Sequence, residues 1–165
     1  MLSANIDRTP EGVLTFAGYD VTKLAKQYGT PLYLMDEERI RAKCGMYLQA
    51  FHQNFGWDAL PLYASKAASF RRIYQIMAEE GMGVDVVSSG ELYTALSAGF
   101  PAEKIYFHGN CKTDADLTLG VQRGIGCFIV DNREELLNLE RIAGEAGITQ
   151  KIMLRVTPGI DPHTY

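Results

Sequence analysis

Positive charge and cysteine are both scarce in this chain. Its 165 residues carry 16 Lys and Arg against 20 Asp and Glu, for a formal net charge of −4 at pH 7. A chain with this balance has no basic field to attract nucleic-acid phosphates, so we expect no nucleic-acid partner. The three cysteines are widely spaced and form no CxxC pair. This pattern is not a disulfide framework and favours a reducing, cytoplasmic setting.

Long apolar runs and clustered metal ligands are also missing. No run of about 18 apolar residues occurs, so we expect neither a membrane span nor a membrane partner. Residues 1–8 lack the apolar core of a secretory signal. Cys111 lies three residues after His108, but two candidate ligands are too few for a zinc site, so we expect no metal. With 47% hydrophobic and 22% charged residues, the composition is that of a globular domain with one core.

The first 35 residues predict short, mixed elements. Residues 13–16 are a candidate strand, and Asp20 can cap a short helix that ends near Gly29. A second candidate strand follows at residues 32–34. Asp36 is then a candidate cap for a longer helix over about residues 37–54.

From residue 60 onward, strand-like and helix-like patterns alternate. Apolar runs begin near residues 61, 83, 104, 126 and 151, a spacing of about 22 residues. Between them lie helical patterns, whose start signals are Ser69, Ser88 with Glu91, Thr113, and Asn132 with Glu135. The two Glu-containing pairs have the spacing of capping boxes. This alternation predicts βα units, an α/β fold and a parallel sheet.

The short period favours a (β/α)8 barrel. A complete barrel needs eight units and about 250 residues, whereas five strands are visible here, the last of them near the end of the chain. We therefore expect an incomplete barrel from the N-terminal part of a longer protein. Alone, such a chain would leave strand edges unpaired, so we expect it to be inactive and poorly folded.

Polar residues fall at the C-terminal ends of the five predicted strands, where barrels carry their function. These residues are Lys66, Asp85, His108, Asp131 and Arg155. Asp85 and Arg155 interrupt apolar runs, where an unpaired charge is costly, so they could pair across the mouth of the barrel. Asp131 is more simply interpreted as a helix cap. His108 is either a core residue or a ring that contacts a ligand.

Lys66 closes an apolar run that begins at Leu60. A lysine that ends a buried strand has its amine at the edge of a dry surface, where lost hydration favours the neutral form. Neutral amines attack carbonyls and form Schiff bases. The simpler interpretation is a lysine whose amine reaches into water, and position alone favours that one.

The residues around these positions resemble a known family. YASKA at residues 63–67 resembles the lysine motif of the fold-type III pyridoxal phosphate (PLP) decarboxylases, and GVDVVSSGEL at 83–92 resembles their second-strand signature. AGFP at 98–101 and FHGN at 107–110 follow at the expected places. RVTPGIDPHT at 155–164 resembles the segment typical of diaminopimelate decarboxylases, with Thr157 where Asn is frequent. The similarity runs from about residue 29 to residue 165.

The resemblance implies an alanine racemase-like, PLP-binding barrel over residues 36–165. The segment 1–35 would then belong to a β domain that is otherwise missing. The resemblance also implies that Lys66 is catalytic and holds PLP as a Schiff base. Four further residues are implied to line the cofactor: Ala64, Asp85, His108 and Arg155. In this family the phosphate loops and the substrate-binding residues lie beyond Tyr165.

The implied activity is PLP-dependent decarboxylation of meso-2,6-diaminopimelate to L-lysine and CO2, in lysine biosynthesis, by a homodimer of the full-length chain. Two alternatives stay open. One is another fold-type III decarboxylase, acting on ornithine, arginine or carboxynorspermidine. The other is a PLP-binding barrel without turnover, although such proteins usually lack the added β domain to which residues 13–16 would belong.

Overall fold

The chain divides into two units, Met1–Lys43 and Cys44–Tyr165, in the computed structural model, which describes residues 4–156 and 158–160. The first unit contains a three-stranded antiparallel sheet in the order β1-β2-β3. Its strands and its first helix are β1 (Ile6–Arg8), β2 (Leu14–Phe16), β3 (Tyr19–Asp20) and α1 (Val21–Tyr28). Strand β2 confirms the strand predicted at residues 13–16.

Helix α1 begins and ends where the sequence predicts. The Oδ1 atom of Asp20 accepts the backbone N–H groups of Thr22 at 2.8 Å and Lys23 at 3.2 Å. These bonds satisfy donors that the first turn of a helix leaves unpaired. Gly29 ends the helix with a φ of 83°, in a region that glycine enters without steric cost.

The strand predicted at residues 32–34 is wrong. These residues are irregular, and none of the described residues pairs with them as a strand. Tyr33 is 93% exposed and Leu32 is 37% exposed, so this short apolar run buries little of its surface. A strand needs a neighbouring strand to hydrogen-bond its backbone N–H and C=O groups, and three consecutive apolar residues do not ensure that one is present.

The longer predicted helix is confirmed as α2 (Glu37–Phe55). The Oδ1 atom of Asp36 accepts the N–H of Arg39 at 3.0 Å and so caps its first turn. Cys44 is buried, and its Sγ lies 3.7 Å from the Sδ of Met77. Within residues 4–156 and 158–160, no helix is both long enough and apolar enough to cross a bilayer.

The second unit contains a five-stranded parallel sheet in sequential order. Its strands are β4 (Leu62–Ala64), β5 (Gly83–Val86), β6 (Ile105–Phe107), β7 (Cys127–Val130) and β8 (Ile152–Leu154). The helices between them are α3 (Arg71–Glu79), α4 (Ser89–Ser97), α5 (Asp114–Arg123) and α6 (Arg133–Glu145). The five predicted strands are therefore confirmed, and a sequential parallel order with one helix per connection is the order of a barrel segment.

The three central strands, β5, β6 and β7, bury one face of the sheet. Val86 pairs in register with Phe107, and Phe107 with Phe128, and all three side chains are fully buried. The rings of Phe107 and Phe128 stack with centroids 5.7 Å apart. On the opposite face, Asp85 and Ile129 are only half-buried. The core therefore lies between the sheet and the helices, and the face that carries Asp85 is the more open one.

The two predicted capping boxes form only in part. The Oγ of Ser88 accepts the N–H of Glu91 at 3.2 Å, and the Oδ1 of Asn132 accepts the N–H of Glu135 at 2.9 Å. The carboxylate that should complete each box instead binds elsewhere: that of Glu91 accepts the N–H of Val87, and that of Glu135 pairs with Lys112.

Two other helix starts differ from each other. At α5, Thr113 and Asp116 form a complete capping box, since the Asp116 N–H donates to Thr113 Oγ1 at 3.2 Å and the Thr113 N–H donates to Asp116 Oδ2 at 2.9 Å. At α3, the residue in the cap position is Phe70, which has no side-chain cap. The predicted signal, Ser69, places its hydroxyl 2.9 Å from that of Tyr74 instead.

Candidate active site

The predicted site residues lie at the C-terminal ends of four parallel strands. In chain order, Ala64 ends β4, Lys66 is in the turn after β4, Asp85 is in β5, His108 follows β6 and Arg155 follows β8. Ala64 and Asp85 are direct partners in the register of β4 and β5. Because parallel strands end at the same edge of a sheet, all five residues belong to one edge, as predicted.

Asp85 and His108 come together at this edge. His108 Nδ1 lies 3.7 Å from Asp85 Oδ2, and both side chains are partly exposed. Burial raises the pKa of Asp85, and this effect outweighs the lowering by His108 and Lys66. The other oxygen, Oδ1, is buried and has no hydrogen-bond partner among the described residues. A buried carboxylate oxygen without a donor is suited to receive one from a ligand.

Arg155 does not pair with Asp85, so that prediction is wrong. Its Nη1 donates to the Oδ1 of Asp131 at 3.0 Å. Strands β7 and β8 are neighbours, whereas β6 and β7 separate β5 from β8. Asp131 is therefore the nearer acid, and it is not the helix cap that we expected, since Asn132 caps α6.

Lys66 lies in a short 3-10 turn, Ser65–Ala67, rather than in a strand, and its side chain is exposed. Of the two interpretations of this lysine, the exposed side chain agrees with the one that position alone favoured, an amine that reaches into water. A hydrogen bond also fixes this turn, since the hydroxyl of Tyr63 donates to the carbonyl of Ala68 at 3.0 Å. An exposed amine on a fixed turn is accessible to a carbonyl compound.

Sequence reasoning missed what holds this turn. Ser65 is fully buried, and its Oγ lies 2.8 Å from the carbonyl oxygen of Asp85 and 2.7 Å from Glu91 Oε2. The same Glu91 oxygen accepts the N–H of Val87 at 2.8 Å. One carboxylate thereby connects the turn of Lys66 to the strand of Asp85. The SSGEL motif contains this Glu, but its spacing indicated only a helix cap.

A second buried pair, Lys112 with Glu135, was also missed. Lys112 lies in a polar loop, and Glu135 lies in the first turn of an amphipathic helix, so both resemble solvated residues in the sequence. No signal in the residues themselves identifies them as partners. Their burial depends on how β6, β7 and α6 pack.

The His108 and Cys111 pair gains no third metal ligand in the part of the chain that the structure describes, where no group of three or more His, Cys, Asp and Glu side chains could hold an ion. Cys111 is exposed and has a φ of 55°.

Part of the RVTPGIDPHT motif, Thr157 and residues 161–164, lies outside the described residues.

Comparison with known proteins identifies the family of this chain. The family described as pyridoxal-dependent decarboxylase, pyridoxal binding domain, matches residues 38–165. The chain belongs to this family. The predicted family is thereby confirmed, and so is the α/β fold class with a partial barrel, since the parallel sheet matches the N-terminal part of that fold.

Named relatives narrow the likeness further. The chain is 46% identical over 155 residues to the diaminopimelate decarboxylase of Bacillus methanolicus. This alignment covers 94% of this chain and 36% of that protein. A crystal structure of diaminopimelate decarboxylase from M. jannaschii superposes with a TM-score of 0.84 at 35% identity, covering 98% of this chain and 38% of that one. The same enzyme in complex with L-lysine superposes with a TM-score of 0.82 at 34% identity, and the match covers 96% of this chain and 37% of that one. The chain thus spans about a third of the length of the relatives that it matches.

Proposed function

We propose that the protein containing this chain decarboxylates meso-2,6-diaminopimelate to L-lysine and CO2 with PLP as cofactor. The observation that carries this proposal is an exposed amine, Lys66, at the same sheet edge as the Asp85–His108 pair. The sequence likeness to enzymes named for this reaction supports the choice of substrate. The M. jannaschii enzyme in complex with L-lysine supports the choice of product.

The residues of the edge fit PLP. Lys66 offers the primary amine that a pyridoxal aldehyde needs, and the buried Asp85 Oδ1 is an acceptor without a donor among the described residues. Lys66 would hold the cofactor, with Ala64, Asp85, His108 and Arg155 lining it. When bound, PLP supplies an electron-withdrawing ring that stabilises the negative charge left as CO2 departs.

The chain's own groups would then bind, orient and move protons. Lys66 Nζ could hold a proton and donate it to the carbon that has lost CO2. His108 Nδ1 lies 3.7 Å from Asp85 Oδ2, beyond hydrogen-bond distance, so these two side chains would line the cofactor as neighbours rather than as a hydrogen-bonded pair. Arg155 uses Nη1 to bind Asp131, and a guanidinium carries five N–H groups, so it can also hold an anionic group.

The experiment uses the protein from the complete reading frame that contains this chain. With PLP, the wild-type protein is expected to show the visible absorbance of the bound cofactor and to release lysine from diaminopimelate. Lys66→Ala should lose both, whereas Lys26→Ala, at an exposed position in α1, should keep both. An unchanged cofactor band in Lys66→Ala would contradict the assignment. Ornithine, arginine and carboxynorspermidine, assayed side by side, test the alternative substrates, and cofactor binding without any turnover would favour the non-catalytic barrel.

Three further expectations stay predictions. A homodimer of the full-length protein is expected from the family resemblance, and light scattering on the purified protein tests it. The cytoplasmic location is expected from the spacing of the cysteines. Residues 1–35 are expected to belong to a β domain, and this expectation also comes from the family resemblance.

A further inference from the structure

A buried ion pair joins Lys112 and Glu135. Lys112 Nζ lies 2.9 Å from Glu135 Oε1, and the two side chains are 2% and 3% exposed. Neither oxygen of the Glu135 carboxylate has a hydrogen-bond donor in good geometry among the described residues. The nearby ammonium charge, rather than a network of hydrogen bonds, therefore compensates this carboxylate.

The same ammonium group connects two segments of the candidate site. Lys112 Nζ donates to the carbonyl oxygen of Gly109 at 2.6 Å and to that of Ile129 at 3.1 Å. Gly109 directly follows His108, and Ile129 lies in β7. One side chain thereby holds the loop after β6 against the next strand of the sheet.

Stability alone does not account for this pair. Two ions lose their hydration on burial, and replacing a buried pair by apolar side chains of similar volume is often neutral or stabilising. An apolar side chain in place of Lys112 could fill the same space. It could not donate to the carbonyl groups of Gly109 and Ile129.

We propose that Lys112 is a positioning residue for His108, with Glu135 as its counter-ion. The two carbonyl bonds fix the loop that follows β6, and so fix the distance between His108 and Asp85. Lys112 itself touches neither cofactor nor substrate in this assignment. The inference rests on the proposed function, because it gives His108 a place beside PLP.

The test compares two properties of the full-length protein, its Tm without cofactor and its Kd for PLP. Lys112→Met should lower the Tm, because it leaves the Glu135 carboxylate buried without a counter-ion, and should weaken PLP binding. In Lys112→Met/Glu135→Leu both charges are gone, so the Tm should return close to that of the wild type. The Kd should stay about tenfold higher or more, because the loop has lost its carbonyl bonds.

The control and the contrary results keep the two roles apart. Arg141→Met removes exposed pairs from α6, the helix that also carries Glu135, to Asp114 at the start of α5 and to Glu145, and should leave the Kd unchanged. A double variant that regains both Tm and affinity would overturn the proposal and make the pair purely structural.

Lys112→Arg decides the matter if the double variant does not fold. It keeps a positive charge beside Glu135, but a planar guanidinium cannot repeat the donor geometry of the ammonium. A raised Kd at near-normal Tm supports the positioning role, and an unchanged Kd overturns it. Wild-type protein that binds no PLP would refute the proposed function instead.

Discussion

Removing one hydroxyl, in Ser65→Ala, should weaken the connection between the Lys66 turn and strand β5. Ser65 is fully buried, and its Oγ bridges the carbonyl of Asp85 and the carboxylate of Glu91. The change removes a single oxygen and leaves almost no cavity, so lost hydrogen bonding dominates. A hydrogen bond to a charged group contributes about 1.5–3 kcal/mol, and we expect the free energy of unfolding to fall by about 2 kcal/mol.

A double-mutant cycle isolates this connection. In the wild type, Glu91 Oε2 accepts the N–H of Val87 at 2.8 Å. Glu91→Gln keeps an acceptor for this N–H and should lower the free energy of unfolding by about 1 kcal/mol. Because both changes remove the same contact, the double variant should lose less than the sum of the two, by about 0.5 kcal/mol or more. Urea unfolding of the full-length protein without PLP, followed by circular dichroism, measures all three variants.

The control for the cycle is a serine on the outside of the same region. Ser97 is exposed and donates to the carbonyl of Thr94 at 2.9 Å, so Ser97→Ala should change stability by less than about 0.5 kcal/mol. Ser65→Ala should also weaken PLP binding, since the turn that holds Lys66 is less fixed. An effect of Ser65→Ala as small as that of the control, or strict additivity with Glu91→Gln, would refute the reasoning.

Three other changes test the electrostatics of the edge and the packing of the sheet. Burial raises the pKa of Asp85 above its ordinary 3.8, so the folded chain keeps this proton to higher pH than the unfolded chain does. The free energy of unfolding therefore falls as pH rises from the pKa of the unfolded state to that of the folded state, and it stays lower at higher pH. Asp85→Asn should flatten this decline, as urea unfolding at a series of pH values would show, and an unchanged pH profile would contradict it. Gly126→Ala would place a Cβ against the backbone carbonyl of Glu103, so we expect poor soluble expression beside a normal Gly144→Ala control, which meets no atom. Phe128→Ala should lower the free energy of unfolding by about 3–5 kcal/mol because its ring is fully buried, and a loss below about 1 kcal/mol in the urea assay would argue against its place in the core.

The strand rhythm was predictable because burial leaves a direct trace in the residues. In β5 and in β7, three of the four residues are buried, so these strands are apolar along most of their length. The run at residues 32–34 has the same local character but no partner strand among the described residues. Pairing is a property of the whole chain, and three residues do not encode it.

The edge residues were predictable for a similar reason, whereas their partners were not. A polar residue at the end of an apolar strand, such as Lys66 or His108, falls at one edge of any parallel sheet. Which acid meets Arg155 depends on the order of strands, and this order favours Asp131 over Asp85.

The buried side chains around the site are the hardest to predict. Glu91 and Glu135 have the spacing of helix caps, and their backbone N–H groups do bind the expected cap residues. Their carboxylates turn inward instead, to Ser65 and to Lys112. That choice depends on cavities formed by several elements together, which a local motif does not describe.

Chemical trapping of the cofactor tests the central claim most directly. The full-length protein is incubated with PLP, reduced with borohydride so that any Schiff base becomes a stable amine, digested and mapped by mass spectrometry. The account predicts that the phosphopyridoxyl group is found on Lys66. Label on another lysine, such as Lys112, or no stoichiometric label at all, would contradict it.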